Sequence, residues 1–208
     1  YVSVGGEVRR VTWGLLRRVS SEVLGERGLR PPRRLVRRHA EVIASELRSL
    51  VAHAYRYFEG RALKLEELRD LGRRTAPLVS FAWLDLSSTP REELAERYRE
   101  AARGYLSAAA GSRDLGYRKE FVGRALLLLS AGLMLKYSLL PSNSTPLNLS
   151  ALRAELSRAR LPGDARAALA RFCKLGAKLA RKPLLIGPRE ARRVERQIAE
   201  LRSLAERL

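Results

Sequence analysis

Four arginines at the start of one predicted helix have a spacing that suits phosphate binding. Positions i, i+1, i+4 and i+5 form one stripe over the first two turns of a helix, and here they are Arg33, Arg34, Arg37 and Arg38. A helix N-terminus carries partial positive charge, so cations there do not stabilise the helix itself. The planar guanidinium binds phosphate oxygens through two parallel hydrogen bonds. The stripe therefore favours an anionic partner, and the alternative is a solvated face.

Two further groups of basic residues have the same character. One repeats the arginine doublet near the N-terminus, at Arg9, Arg10, Arg17 and Arg18. The other shares one face of a predicted helix near the C-terminus, at Arg171, Lys174, Lys178, Arg181 and Lys182. A helix with one apolar and one basic face can lie along a phosphate backbone or on an anionic membrane. Because the apolar faces are needed for a core, nucleic acid is the favoured partner.

The composition agrees with a polyanionic partner. The chain has 41 basic and 22 acidic residues, which leaves a formal net charge of +19. So large a charge disfavours a compact state by self-repulsion and attracts polyanions. The hydrophobic content of 46% is enough to form a core, so the chain is predicted to fold. Arginine outnumbers lysine 35 to 6. Phosphate binding would explain this ratio, and so would GC-rich coding or adaptation to heat.

The two histidines are the candidates for catalysis. They lie 14 residues apart on one predicted helix, about 21 Å along its axis, so they cannot share a metal ion within one chain. Arg48, His53 and Tyr55 fit the pattern R-x4-H-x-Y, which resembles the catalytic motif of HEPN-type ribonucleases. That resemblance implies a helical dimer in which Arg48 and His53 act in catalysis. Arg34 and His39 fit R-x4-H as well.

Other signatures of catalysis are absent from the sequence. It has no Walker loop, no HExxH, no GxSxG and no Rossmann fingerprint. Its four aspartates, at positions 70, 85, 114 and 164, are not spaced for two-metal nuclease chemistry. We therefore expect a non-enzymatic protein with no cofactor and no metal site.

A second resemblance involves the longest apolar run of the chain. Tyr117-Arg-Lys, followed by Ser130-Ala-Gly-Leu133, is similar to the tyrosine and Asn-Gly-Leu segments of small helical subunits of type III CRISPR effector complexes. Alanine stands at position 131, where those subunits have asparagine. The resemblance implies a sequence-independent backbone binder.

The aromatic residues could stack on nucleobases, but most occupy helical positions that suit a core. Aromatic residues form only 6% of the chain, so we expect packing rather than stacking for each of them. The candidates considered are Tyr55, Tyr57, Phe58, Trp83, Tyr98, Tyr105, Tyr117 and Tyr137.

The pattern of apolar residues predicts an all-α bundle of about seven to eight helices, with a short strand or flexible arm at the N-terminus. Predicted breaks lie at Pro77 and at the turn-rich segment 141–146, and Thr89 is predicted to cap the helix that follows it. No segment shows the alternation of apolar and polar residues that would predict a sheet.

The apolar run 121–140 is interrupted by charge and predicts a buried helix rather than a membrane span. Residues 1–140 and 141–208 are the predicted domains, with one continuous domain as the alternative.

The C-terminal helix, residues 189–208, has a narrow apolar seam at heptad spacing and charged residues elsewhere. It is predicted either to make a subunit contact or to fold back on its own domain. The contact residues would be Val194, Ile198, Leu201 and Leu208.

These features together lead to the expectation of a structural nucleic-acid-binding protein, which coats or packages DNA or RNA within a larger assembly. A coat protein of a virus of a hyperthermophile fits, as does a CRISPR small subunit, and the compartment would be the cytoplasm or the virion. A homo- or hetero-oligomer is expected. The alternatives are a HEPN-type ribonuclease and a membrane-surface protein.

Overall fold

The chain forms two compact units, residues 1–88 and 89–208, in a computed structural model. The residues that the structure describes are 1–4, 6–54, 62–158, 163–181 and Arg196. Within them are eight helices and a small three-stranded sheet, so the prediction of an all-α bundle is confirmed. No described helix is both long enough and apolar enough to cross a membrane.

Unit 1, residues 1–88, places three helices and a short fourth beside the sheet. Its elements are β1 (Val2–Val4), β2 (Glu7–Arg9), α1 (Trp13–Gly25), α2 (Arg33–Ala54), β3 (Leu63–Lys64), α3 (Leu65–Val79) and α4 (Phe81–Asp85). The strand order is β2-β1-β3. β1 pairs antiparallel with β2 through Val2↔Arg9, and parallel with β3 through Val2↔Leu63.

The sheet is a correction to the sequence analysis. Strands of two or three residues are too short to show alternation, and β3 comes from a segment about 60 residues along the chain from β1. Only the strand or arm expected at the N-terminus corresponds to β1. The turn between β1 and β2 contains Gly6 at φ +86°, a backbone conformation that glycine adopts without steric cost.

The core of unit 1 forms where α1, α2 and α3 meet at Gly72. A Cβ atom on Gly72 would lie 3.1 Å from Val23 Cγ2 and 3.5 Å from Ile43 Cδ1, so glycine permits this close approach. His39 of α2 is completely buried here, and its Nε2 lies 3.0 Å from Gly72 O and 3.0 Å from Thr75 Oγ1.

Two predicted helix boundaries require correction. Pro77 does not break α3, because the helix continues past it to Val79, although proline has no N–H to donate to the carbonyl of Arg73. The break comes at Ser80, whose hydroxyl accepts from Trp83 N and so caps α4. Thr89 is not the cap of the next helix, since Pro90 holds that position without a side-chain hydrogen bond.

The described part of unit 2, residues 89–208, contains four helices. It contains α5 (Arg91–Gly111), α6 (Leu115–Lys136), α7 (Thr145–Leu156) and α8 (Gly163–Arg181). α6 is the buried helix predicted for the apolar run, and its core includes Leu126 and Leu129 together with Phe172 of α8. Cys173 is buried, as expected for a small core residue, and burial raises the pKa of its thiol to about 11.

The predicted linker at 141–146 connects α6 to α7 within unit 2, and its last residues already belong to α7. Asn148 is fully buried and organises this turn. Its Oδ1 accepts from Ser142 N at 2.7 Å, and its Nδ2 donates to Ser142 O at 3.0 Å. The predicted division into domains 1–140 and 141–208 stays a prediction.

Candidate nucleic-acid interface

The arginine stripe of α2 is fully formed and exposed. The side chains of Arg37 and Arg38 are 71% and 64% exposed, and both pair with the single carboxylate of Glu41, at 3.2 and 3.6 Å. Arg33 and Arg34 are exposed and make no ion pair with any described residue. Among the described residues, the four guanidinium groups of the stripe therefore have one paired carboxylate, which contacts two of them.

The packing of α2 determines which way this stripe faces. Leu35, His39 and Ile43 are buried at intervals of four residues, so they mark the face that meets the core. The arginines occupy the opposite arc of the helix. Pro31 and Pro32 precede the stripe, and Pro32 O accepts from Leu35 N at 2.8 Å, so the first turn starts at Arg33.

α1 and the segment before it carry the second group of arginines. Arg10, Arg17 and Arg18 are exposed, and within the described part of the chain none of them has an ion-pair partner. Arg9 differs, because its Nε donates to Glu7 at 3.1 Å within β2. The core contacts of α1 come from Leu16, Val19, Val23 and Leu24.

The basic face predicted near the C-terminus belongs to α8 of unit 2. Arg171, Lys174 and Lys178 are exposed, whereas Phe172, Cys173 and Gly176 are buried on the opposite side. A Cβ atom on Gly176 would lie only 2.9 Å from Leu149 Cδ1, so this glycine permits the tight packing of α8 against α7. The side chain of Arg181 and the whole of Lys182 lie outside the described residues.

The predicted subunit contact also lies outside the described residues. Of the helix expected at 189–208, only the exposed Arg196 is described. The contact through Val194, Ile198, Leu201 and Leu208 stays a prediction.

Of the two histidines, the structure describes the side chain of His39 but not that of His53. His39 is fully buried, and desolvation lowers its pKa from 6.5 to about 4, although the hydrogen bond between Nε2 and Gly72 O partly opposes this shift. Its Nδ1 and the nearby hydroxyl of Ser20 have no hydrogen-bond partner among the described residues. Arg48 is exposed, and the side chain of His53 lies outside the described part. No group of His, Cys, Asp or Glu among the described residues could hold a metal ion.

One cleft of about 260 Å³ lies between α5 and α6 in unit 2. Its cations already have partners, because Arg91 pairs with Glu92 and donates to Ser138 Oγ, and Arg99 pairs with Glu96 at 3.0 Å. The lining residues are Arg91, Glu92, Ala95, Arg99, Leu129, Gly132, Leu133, Leu135 and Lys136. The cleft therefore offers less uncompensated charge than α1 and α2 do.

The aromatic residues divide between the core and the surface. Trp83 and Tyr98 are buried, as expected for packing residues, whereas Tyr117 is 60% exposed and stacks on Phe121. Sequence reasoning did not single out Trp13, which is 54% exposed at the start of α1. Its place between Arg10 and Arg17, just before the apolar periodicity of α1 begins, is the signal that could have identified it.

Comparison of the chain with models of protein families, with curated proteins and with solved structures finds no match.

Proposed function

We propose that this protein binds the phosphate backbone of nucleic acid, without enzymatic activity and largely without sequence preference, as a structural subunit of a larger nucleoprotein assembly. The observation that carries the proposal is the uncompensated arginine surface of α1 and α2. It consists of Arg17, Arg18, Arg33, Arg34, Arg37 and Arg38, and among the described residues Glu41 is the one carboxylate paired to any of them.

Charge of this kind has a cost in the isolated protein. Guanidinium groups on neighbouring turns repel one another, and that repulsion is relieved when phosphates approach. Arginine also matches phosphate geometry, whereas a surface that served only solubility would need no such match. Contacts to phosphate position a protein on nucleic acid but read no sequence, so weak sequence preference follows.

The basic face of α8 supports the same function in unit 2. Lys174 and Lys178 have no ion-pair partner within the described residues. Each unit therefore has a basic surface of its own within its described residues. Coating or packaging, as in a virus of a hyperthermophile or a CRISPR effector, is the role that we propose for this arrangement.

The salt dependence of binding tests this function. Affinity for a labelled oligonucleotide should fall linearly on a plot of log K against log salt, because bound phosphates release counterions. If about six arginines contact phosphates, the slope for duplex DNA would be about −5. A slope near zero would contradict the proposal. A labelled RNA should also stay intact, and cleavage of it that His53→Ala abolishes would support the ribonuclease alternative.

A further inference from the structure

The two tryptophans of unit 1 have opposite environments. Trp83 is buried, its Nε1 donates to Val23 O at 3.0 Å, and the Cζ atom of Arg27 lies 4.5 Å from its ring centroid. Trp13 is 54% exposed. Among the described residues its indole has no hydrogen-bond partner and its ring has no aromatic or cationic neighbour. About half of the surface of Trp13 is thus exposed and does not pack in the core.

Uncompensated cations flank Trp13 along the chain. Arg17 follows it by one helical turn on the same side of α1, a spacing that puts the two Cβ atoms about 5–6 Å apart. Arg10 precedes it by three residues, and neither arginine has an ion-pair partner in the described part of the chain. A ligand that suits this place carries negative charge beside an aromatic face.

We infer that Trp13 stacks on an unpaired nucleobase, so the ligand of the α1 and α2 arginines is single-stranded nucleic acid. This inference rests on the proposed function and specifies its substrate. Both faces of a base inside a duplex are covered by neighbouring bases, whereas a single strand exposes them. Aromatic side chains that stack on bases, next to arginines that contact the flanking phosphates, form a typical single-strand site.

The packing of unit 1 favours this ligand over an anionic membrane. An amphipathic helix binds a membrane through its apolar face. In α1 that face is Leu16, Val19, Val23 and Leu24, all 5% exposed or less. The apolar face of α2, which includes Leu35 and Ile43, is likewise buried. These apolar residues are thus held in the core and are not available for insertion into a membrane, and the exposed ring of Trp13 suits stacking on a base.

Tryptophan fluorescence tests the inference directly, because the chain has only two tryptophans. Addition of a single-stranded oligo-dT should quench the emission of Trp13, while the buried Trp83 contributes a constant background. Trp13→Phe should remove this quenching. A duplex of equal length should bind through the arginines with little quenching.

Affinity measurements with three variants complete the test. Trp13→Ala should weaken single-strand binding about fivefold or more, with duplex affinity unchanged. Trp13→Phe should retain part of the single-strand affinity, because phenylalanine still offers a ring. Leu78→Ala is the matched control, since Leu78 is 63% exposed in the same unit and carries no proposed contact. Circular dichroism at the temperature of the assay establishes that each variant is folded.

The outcomes separate this inference from the proposed function. Salt-dependent binding with unchanged Trp13 emission, and with equal affinity for Trp13→Ala, would overturn the stacking inference alone. Absence of binding to any nucleic acid would overturn the proposed function as well. A blue shift of Trp13 emission on vesicles with anionic lipid, without quenching by oligo-dT, would assign the surface to a membrane and overturn both.

Discussion

Helices α2 and α3 of unit 1 both carry arginines spaced by four residues, yet in opposite electrostatic settings. In α3, Arg69 pairs with Glu22 and Glu66 at 3.0 and 3.1 Å. Arg73 pairs with Glu26, Glu66 and Asp70, all within 2.9 Å. In α2, Arg33 and Arg34 have no ion pair with any described residue. The same type of side chain in α2 and α3 therefore differs in its ion-pair partners.

The pKa values reflect the same difference. Hydrogen bonds to Glu26, Glu66 and Asp70 raise the pKa of Arg73, and hydrogen bonds from Arg73 and Arg69 lower the pKa of Glu66. Arg69 and Arg73 thus hold α3 to α1, whereas Arg33 and Arg34 of α2 have no such carboxylate partner among the described residues. The proposed binding surface therefore rests on the local excess of cations over carboxylates and not on the number of arginines.

The largest effect is expected from His39, which joins α2 to α3. The unfolded chain binds a proton at this residue below about pH 6.5, whereas the folded chain binds it only near pH 4. Falling pH therefore favours unfolding across this window. Between about pH 7.5 and pH 5 the free energy of unfolding should decrease by about 2 kcal/mol, measured by urea denaturation. His39→Gln should largely remove this dependence and His53→Gln should retain it. A His39→Gln variant as pH-sensitive as the parent would contradict the assigned burial.

The second effect concerns binding and compares the α2 arginines with arginines that already have carboxylate partners in α3 and α5. Changing Arg33, Arg34, Arg37 and Arg38 together to Gln should weaken nucleic-acid binding tenfold or more, because phosphate contacts are lost. The matched control removes the same charge from arginines that already have carboxylate partners, namely Arg69, Arg73, Arg97 and Arg99. That control should change affinity much less. Equal losses in the two variants would show that net charge alone governs binding.

The smallest effect is expected from Arg69→Gln. This exposed ion-pair network contributes little to stability, so Tm should fall by roughly 2 °C or less. The difference from the parent protein should shrink at high salt, because salt screens exposed charges. It should also shrink as pH falls below the ordinary range of the Glu66 carboxyl, whose pKa the arginines lower. A loss of nucleic-acid affinity comparable to that of the α2 variant would remove the distinction between the helices.

Local sequence patterns accounted for the helices and for the exposure of the α2 stripe. Leu35, Ala40 and Ile43 bury one side of α2, and the charged residues on the opposite arc predict a side that faces solvent, whichever helix α2 packs against. The prolines before Arg33 lie at the start of α2, as such residues commonly do. Periodicity of this kind is a property of contiguous residues, and it can be read without knowledge of the partner helix.

Only the tertiary structure decided which arginines are neutralised. Arg69 meets Glu22 and Arg73 meets Glu26, each across 47 residues of chain, and no spacing rule connects positions so far apart. The same holds for the burial of His39 against Gly72 and for the contrast between Trp13 and Trp83. These features depend on how helices pack once their apolar faces meet. The sequence by itself determined a basic, helical protein with arginines on its surface, and the packing determined which of them stay available to a ligand.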